Sequence, residues 1–538
     1  MSLHRGAACI DCHRRKVRCD GATPACGRCV AGGHAEDCEY TCGESQSRVK
    51  TRVKTLEDNI ARLEAKIACL ERKKARATLS QPLQDIQIPG RGGAQYSPTR
   101  TGFHPALPEL PYPSLPQDWT ERPILPLEIA RILVDIFAPH AFNHGFFLHG
   151  PRFLVKMFPS DGSPSSLPLS LISVVYLWGI HLSSHQPWIA HEETFLNRAF
   201  VQLLKSQHPN QIVANIQAEV LLSNYLLRSG NFSSAMHRLN SALSQSVACG
   251  LHRPGSRSTG ANFVLPPPSD GLELGERIDA FWTIVLFHKS WVAALQWPSR
   301  ISTVLDDMIY VPFPLDMSAY ESGKLTFNDL SSPTLKQFLD DPQDEGVVST
   351  LALSVQSAYM FERACYIGVE WKSVLGITEE AIQFLVFDSR LSDFIRTLPT
   401  IETYPERFRH AWIATNSIVQ AAVIQLHGSV DTSESQSRCL QAAEKIVSMI
   451  QTIPPELEHV NPILGTMWFI ASRALISALH RLGKAEVTED TVLHTANIKL
   501  SLKTLLETMT TYSIKCALIY SRLGHTQELC RQHGIQLA

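Results

Sequence analysis

The sequence predicts three unequal parts: a small cysteine-rich head, a parallel coiled coil and a large all-α body. Three observations carry this. Six of the 13 cysteines fall between Cys9 and Cys38. An unbroken apolar repeat in alternating steps of four and three runs from Val49 to Leu70. From Leu127 onward, apolar residues recur at helical spacing with few strand signals. The boundaries by composition are 1–40 for the head, 41–76 for a linker and the coil, 77–126 for a Pro/Gly-rich connector and 127–538 for the body.

At 538 residues the chain is too long for one compact domain, and 44% hydrophobic with 19% charged residues is ordinary for a folded protein. The formal net charge of −2 hides an asymmetry. Met1–Arg76 holds 16 Lys+Arg against 10 Asp+Glu, and the remainder holds 33 against 41. A basic head on an acidic body is expected where one module meets a polyanion. The opening MSLHRGAACIDCHRRK has no apolar stretch of the kind a secretory signal needs, so a reducing compartment is expected. There, clustered cysteines read as metal ligands rather than disulfides. Two apolar runs, Leu167–Leu182 with Pro168 and Asn461–Gly483 with Arg473 and His480, read as buried core helices rather than membrane spans.

In the head the spacing is Cys9-x2-Cys12-x6-Cys19-x6-Cys26-x2-Cys29-x8-Cys38. Tetrahedral zinc takes four ligands, so two zinc ions need eight ligand positions. Six thiolates fill them only if two bridge both metals. The pattern is two copies of one motif, and by symmetry the first cysteine of each copy, Cys9 and Cys26, is the natural bridge. So short a head cannot bury enough apolar surface to fold alone, and metal binding must supply on the order of 10 kcal/mol per site.

This spacing, without gap or substitution, resembles the fungal binuclear zinc-cluster domain of transcription factors, and Pro24 resembles that family's loop proline. The resemblance implies two zinc ions, one on Cys9, Cys12, Cys19 and Cys26, the other on Cys26, Cys29, Cys38 and Cys9. It also implies a zinc-dependent, sequence-specific regulator of RNA polymerase II promoters. Such a protein acts in the nucleus, with double-stranded DNA and the transcription machinery as partners. Charge selects the half that meets DNA. His13-Arg14-Arg15-Lys16-Val17-Arg18 has four cations in six residues, whereas Val30–Asp37 has no Lys or Arg and includes Glu36 and Asp37. In the family, the helix after the second cysteine enters the major groove and reads a CGG triplet. By position Arg15 and Lys16 match its base-contacting residues, and Arg14 and Arg18 are better placed for phosphate.

The repeat VKTRVKTLEDNIARLEAKIACLERKK puts Val53, Ile60 and Ile67 at a and Leu56, Leu63 and Leu70 at d. β-Branched residues at a with Leu at d favour two parallel strands. Arg52 and Lys66 at g face Glu57 and Glu71 at e of a partner, so a homodimer is self-complementary, although the same charges leave a heterodimer open. The next segment holds ten of the 32 prolines, Pro82 to Pro126, and reads as an extended linker.

In the body, LEIARILVDIF, AEVLLSNYLL, MHRLNSALSQSVACG, RIDAFWTIVLFHKSWVAAL and LGTMWFIASRALISAL are predicted helices, with breaks at 254–271, 316–347 and 428–437. LVDIFAPHAFNHGFFLHGPRFL from Leu133, and the stretches around Gly250-Leu251-His252-Arg253 and Glu276-Arg277, resemble the fungal-specific regulatory domain that commonly follows such clusters. This chain departs from it at Ile278–Trp282 and at His288-Lys289. Enzyme motifs do not assemble: His191-Glu192-Glu193-Thr194-Phe195 lacks the second His of a zincin, and Gly90-Arg91-Gly92-Gly93 lacks the Lys-Ser/Thr ending of a phosphate loop. Trp178, Trp282, Trp291 and Trp468 lie on apolar faces and are expected in the core. A non-enzymatic protein is expected.

Overall fold

The computed structural model describes 8–38 except 23, then 118, 122 and most of 124–536. Within the last range, 206–210, 255–264, 297–305, 324–332, 341–348, 371–378, 405–407, 454–456 and a few single positions are left out. The coiled coil expected over 41–76, with Val53, Leu56, Ile60, Leu63, Ile67 and Leu70, lies outside the described residues. So does most of the Pro/Gly-rich connector. The chain divides into two units, residues 1–109 and 110–538.

The described head has two short helices, α1 (Ile10–Arg14) and α2 (Gly27–Ala31), and a 3-10 turn at Ala35–Asp37. Its core is six thiols, none more than 8% exposed, with only Ala8, Val17 and Ala25 packed against them. That little apolar surface cannot offset the entropy of ordering the chain, so the thiols must contribute through a ligand.

The body is helical, with no strand among the described residues. Its longer helices are α3 (Leu127–Phe137), α4 (Gly150–Met157), α5 (Leu169–Leu182), α6 (Glu192–Lys205), α7 (Ile212–Arg228), α8 (Phe232–Ala248) and α9 (Gly271–Leu295). They continue with α10 (Thr350–Glu370), α11 (Glu379–Thr397), α12 (Arg409–His427), α13 (Ser433–Ile450), α14 (Ile463–Leu482), α15 (Glu489–Ser513) and α16 (Ala517–Gln532). Chain neighbours pair first: α7 with α8, α12 with α13, and α14 with α15 and α16. The long-range packing runs through α9 on α10 and α10 on α12. One continuous hydrophobic cluster links Leu125 to Cys530.

The five stretches singled out for helical periodicity lie in helices, except Cys249 and Gly250 just past the end of α8, and the four tryptophans are buried at 1% exposure or less. Trp178 donates to the Leu221 carbonyl at 3.0 Å and Trp282 to the Pro312 carbonyl at 2.7 Å, so burial leaves neither indole N–H unsatisfied. Among the described residues two helices, α9 and α14, are long and apolar enough to cross a membrane, but both are largely buried in the body. Two of the expected breaks hold helix: short helices Met317–Glu321 and Thr334–Asp340 lie within 316–347, and the segment 428–437 already enters α13 at Ser433. Thr432 caps that helix by accepting the Ser435 N–H at 3.2 Å, so the polar run is a helix start rather than a loop.

Candidate metal centre and nucleic-acid interface

Both halves of the head are built alike. Cys9 is the N-cap of α1 and its sulfur accepts the Cys12 N–H at 3.4 Å; Cys26 is the N-cap of α2 and its sulfur accepts the Cys29 N–H at 3.4 Å. A thiolate at a helix start is favoured by those N–H groups. The same bonds lower the pKa of the Cys9 and Cys26 thiols, whereas burial pushes Cys12 up to about 12. Cys38 is tied in by accepting the Cys26 N–H at 3.1 Å.

The sulfurs form two groups of four, Cys9, Cys12, Cys19 and Cys26, and Cys9, Cys26, Cys29 and Cys38, each with its atoms within 4.8 Å of one another. Cys9 and Cys26 belong to both. A zinc–sulfur distance of about 2.3 Å in a tetrahedron requires sulfurs about 3.8 Å apart. The observed separations are 3.7 Å for Cys9–Cys26, 3.6 Å for Cys9–Cys29 and 3.6 Å for Cys12–Cys26. The residues therefore fit two zinc ions in tetrahedra that share the Cys9–Cys26 edge. No disulfide joins any described cysteine.

The basic stretch leaves α1 in a tight turn. Arg14 and Arg15 both reach back to Asp11, at 3.1 and 3.2 Å, and Asp11 itself is only 6% exposed. Lys16 and Arg18 are exposed and, among the described residues, have no ion-pair partner. Lys16 has φ +54°, a left-handed backbone that a side chain with a Cβ adopts at a cost of about 1–2 kcal/mol. The equivalent place in the second half is Gly33, at φ +72°. Both turns close the same way, Val17 N–H to the Cys12 carbonyl at 3.0 Å and His34 N–H to the Cys29 carbonyl at 2.9 Å. The first half thus keeps a lysine where the second uses glycine.

Sequence reasoning missed the two aspartates that shape the head. Asp11 at i−3 and i−4 from Arg14 and Arg15 was legible as helix pairing. Asp20 was not: it accepts the Gly27 N–H on both oxygens at 3.0 and 2.9 Å and so tethers the loop to the start of α2. A Cβ at Gly27 would stand 2.6 Å from that carboxylate, so a larger residue there would push the Asp20 side chain out of this position. In the body, Glu192 from the zincin-like stretch is held by His181 at 2.6 Å and by the Tyr225 hydroxyl at 2.8 Å, and among the described residues it joins no group of metal-ligating side chains.

Comparison with known proteins agrees with this geometry. One curated relative is a transcription factor, FBD3 of Gibberella moniliformis (strain M3125 / FGSC 7600), 34% identical over 109 residues, which is 20% of this chain and 13% of that protein. The match thus spans a small fraction of the relative's length. No solved structure matches. Residues 7–47 match the fungal Zn(2)-Cys(6) binuclear cluster domain, and the two cysteine groups fit the two zinc ions that such a domain binds.

Proposed function

We propose that this chain is a zinc-dependent, sequence-specific DNA-binding transcription factor acting on RNA polymerase II promoters in the nucleus. In this reading Cys9, Cys12, Cys19, Cys26, Cys29 and Cys38 are the zinc ligands, Arg15 and Lys16 meet the bases of a CGG-type triplet, and Arg14 and Arg18 meet phosphate. The coil over 41–76 makes the dimer, and residues 127–538 are the regulatory domain. The observation that carries the reading is Lys16, an exposed cation with no ion-pair partner among the described residues, held in a strained backbone just past the end of α1. Strain retained at one position, where the matching half relaxes to glycine, marks a residue kept for contact rather than for folding.

Binding-site selection on the full-length protein tests this, followed by titration on the selected and a scrambled sequence. Lys16→Gly is expected to relieve about 1–2 kcal/mol of backbone strain. It should at the same time lose about 1–3 kcal/mol of discrimination at the triplet. Arg18→Ala should weaken both sequences alike and reduce the salt slope by about one unit. Equal losses on both sequences for Lys16→Gly would remove it from base recognition, and the absence of any selected site would favour an interaction scaffold.

For the dimer, Ile60→Asp with Leu63→Asp is expected to convert the full-length chain to monomer in sedimentation. Binding to paired triplets should then fall far more than binding to one. A dimer that persists would place the interface elsewhere.

A further inference from the structure

The body holds a partly open cavity of about 270 Å³, just below the range usual for small-molecule sites, about 300–1,000 Å³. One wall is a single face of α9, on which Asp279, Phe287 and Ser290 recur at helical spacing. Phe146 and Ile418, from the turn after α3 and from α12, line it from elsewhere in the fold.

Two polar atoms in this wall are unanswered. Asp279 Oδ1 and Ser290 Oγ are shut off from solvent and make no hydrogen bond. Among the described residues no Lys or Arg lines the cavity beside Asp279, and Asp316 adds a second carboxylate. His149 also lines the cavity: its Nε2 lies 3.0 Å from Glu321 and its backbone N–H donates to Glu276 at 2.9 Å, while its Nδ1 is buried without a hydrogen bond. Burial raises the Asp279 carboxyl well above the ordinary carboxylate range, and Asp316 and Glu276 push in the same direction. A buried acid with no partner costs stability wherever it stands, and most proteins remove or pair such groups. Here it opens into a cavity that Phe146, Phe287 and Ile418 line beside hydroxyl groups such as those of Thr283 and Thr415.

We propose that this cavity binds a small apolar amine, whose ammonium pairs with Asp279 while its hydrocarbon or aromatic body lies against Phe146, Phe287 and Ile418. The charge that the site lacks is then brought by the ligand, and aromatic faces near the ammonium add to the attraction. An anionic ligand is disfavoured by two carboxylates, and only a cation gains a charge-assisted bond as the acid ionises, where a neutral ligand gains an ordinary hydrogen bond. The proposal does not depend on the DNA-binding reading, because it uses residues of the body alone.

Calorimetry on the full-length protein with 2-phenylethylamine and octylamine, against 2-phenylethanol, octanol and 3-phenylpropionate, tests it. Each amine is expected to bind about tenfold or more tighter than its alcohol, as a charge-assisted hydrogen bond in a buried site allows. The carboxylate should not bind. Asp279→Asn, nearly isosteric, should erase the preference for amine over alcohol while melting at or above the wild-type temperature. Ala414→Trp, which fills the cavity, should weaken amine and alcohol together. The proposal is overturned if neither amine binds, if amine and alcohol bind equally, or if Asp279→Asn keeps the preference.

Discussion

Cys9→Ala is expected to leave the head with no zinc, whereas Cys12→Ala retains one. The reason is the shared edge. Cys9 belongs to both groups of four sulfurs and Cys12 to one. Removing Cys12 leaves Cys9, Cys26, Cys29 and Cys38 as a full set for the second ion. Removing Cys9 takes a ligand from each ion, and it also deletes the N-cap of α1, whose sulfur accepts the Cys12 N–H. Because the head has three partly buried apolar residues besides its thiols, metal binding is nearly all of its folding free energy, about 10–16 kcal/mol per structural zinc at neutral pH. Native mass spectrometry of the full-length protein counts the ions: two for wild type, one for Cys12→Ala, none for Cys9→Ala. Two tightly held ions in Cys9→Ala would refute the bridge. Specific DNA binding should be lost in both variants, so the zinc count is what separates them.

Lys289→Met is expected to destabilise the body by about 3–5 kcal/mol at neutral pH, the cost of stripping one partner from a buried ion cluster. Lys289 has 2% of its side chain exposed and lies 2.8 Å from Asp306 and 2.7 Å from Glu362, with the Tyr359 ring 5.0 Å away. Without it two carboxylates keep their burial and lose their cation. The pH dependence has a definite sign. Burial raises Asp306 from 3.8 to about 6, although Lys289 pulls it down. A raised acid contributes stability that is present below pH 3.8 and is lost as pH rises through about 6. Removing Lys289 takes away the opposing pull, so the penalty should be largest above pH 7 and shrink towards pH 5, where protonation relieves the clash. Denaturant unfolding at pH 5 and pH 7.5 reads this directly. A penalty under about 1 kcal/mol, or one equal at both values, would show that the cluster is not held as buried charge. Adding Asp306→Asn and Glu362→Gln should recover most of the loss, since neutral partners no longer need the lysine.

Much of the head was legible because its chemistry is local. Thiols at fixed spacing can only serve metals in a few ways, and four cations between Cys12 and Cys19 declare a polyanion without reference to the rest of the chain. Helix type was legible for the same reason: LEIARILVDIF repeats with the helical period and is α3. Other helices were not singled out. In α15 the apolar residues buried are Ile498, Leu502, Leu505 and Met509, diluted among Thr and Lys at other positions. That pattern is weak until α14 and α16 are known to pack on it.

The sequence by itself determined a six-thiol metal head with one basic half, a heptad repeat and a helical body. Only the tertiary structure decided that Lys16 stands in the turn that Gly33 makes in the other half, that Lys289 meets Asp306 and Glu362, and that Asp279 Oδ1 is buried without a hydrogen bond among the described residues. Periodicity is set between neighbours along the chain and survives without knowledge of the fold. The partner of a buried charge depends on which helices face each other, and residues far apart in sequence leave no local trace of it.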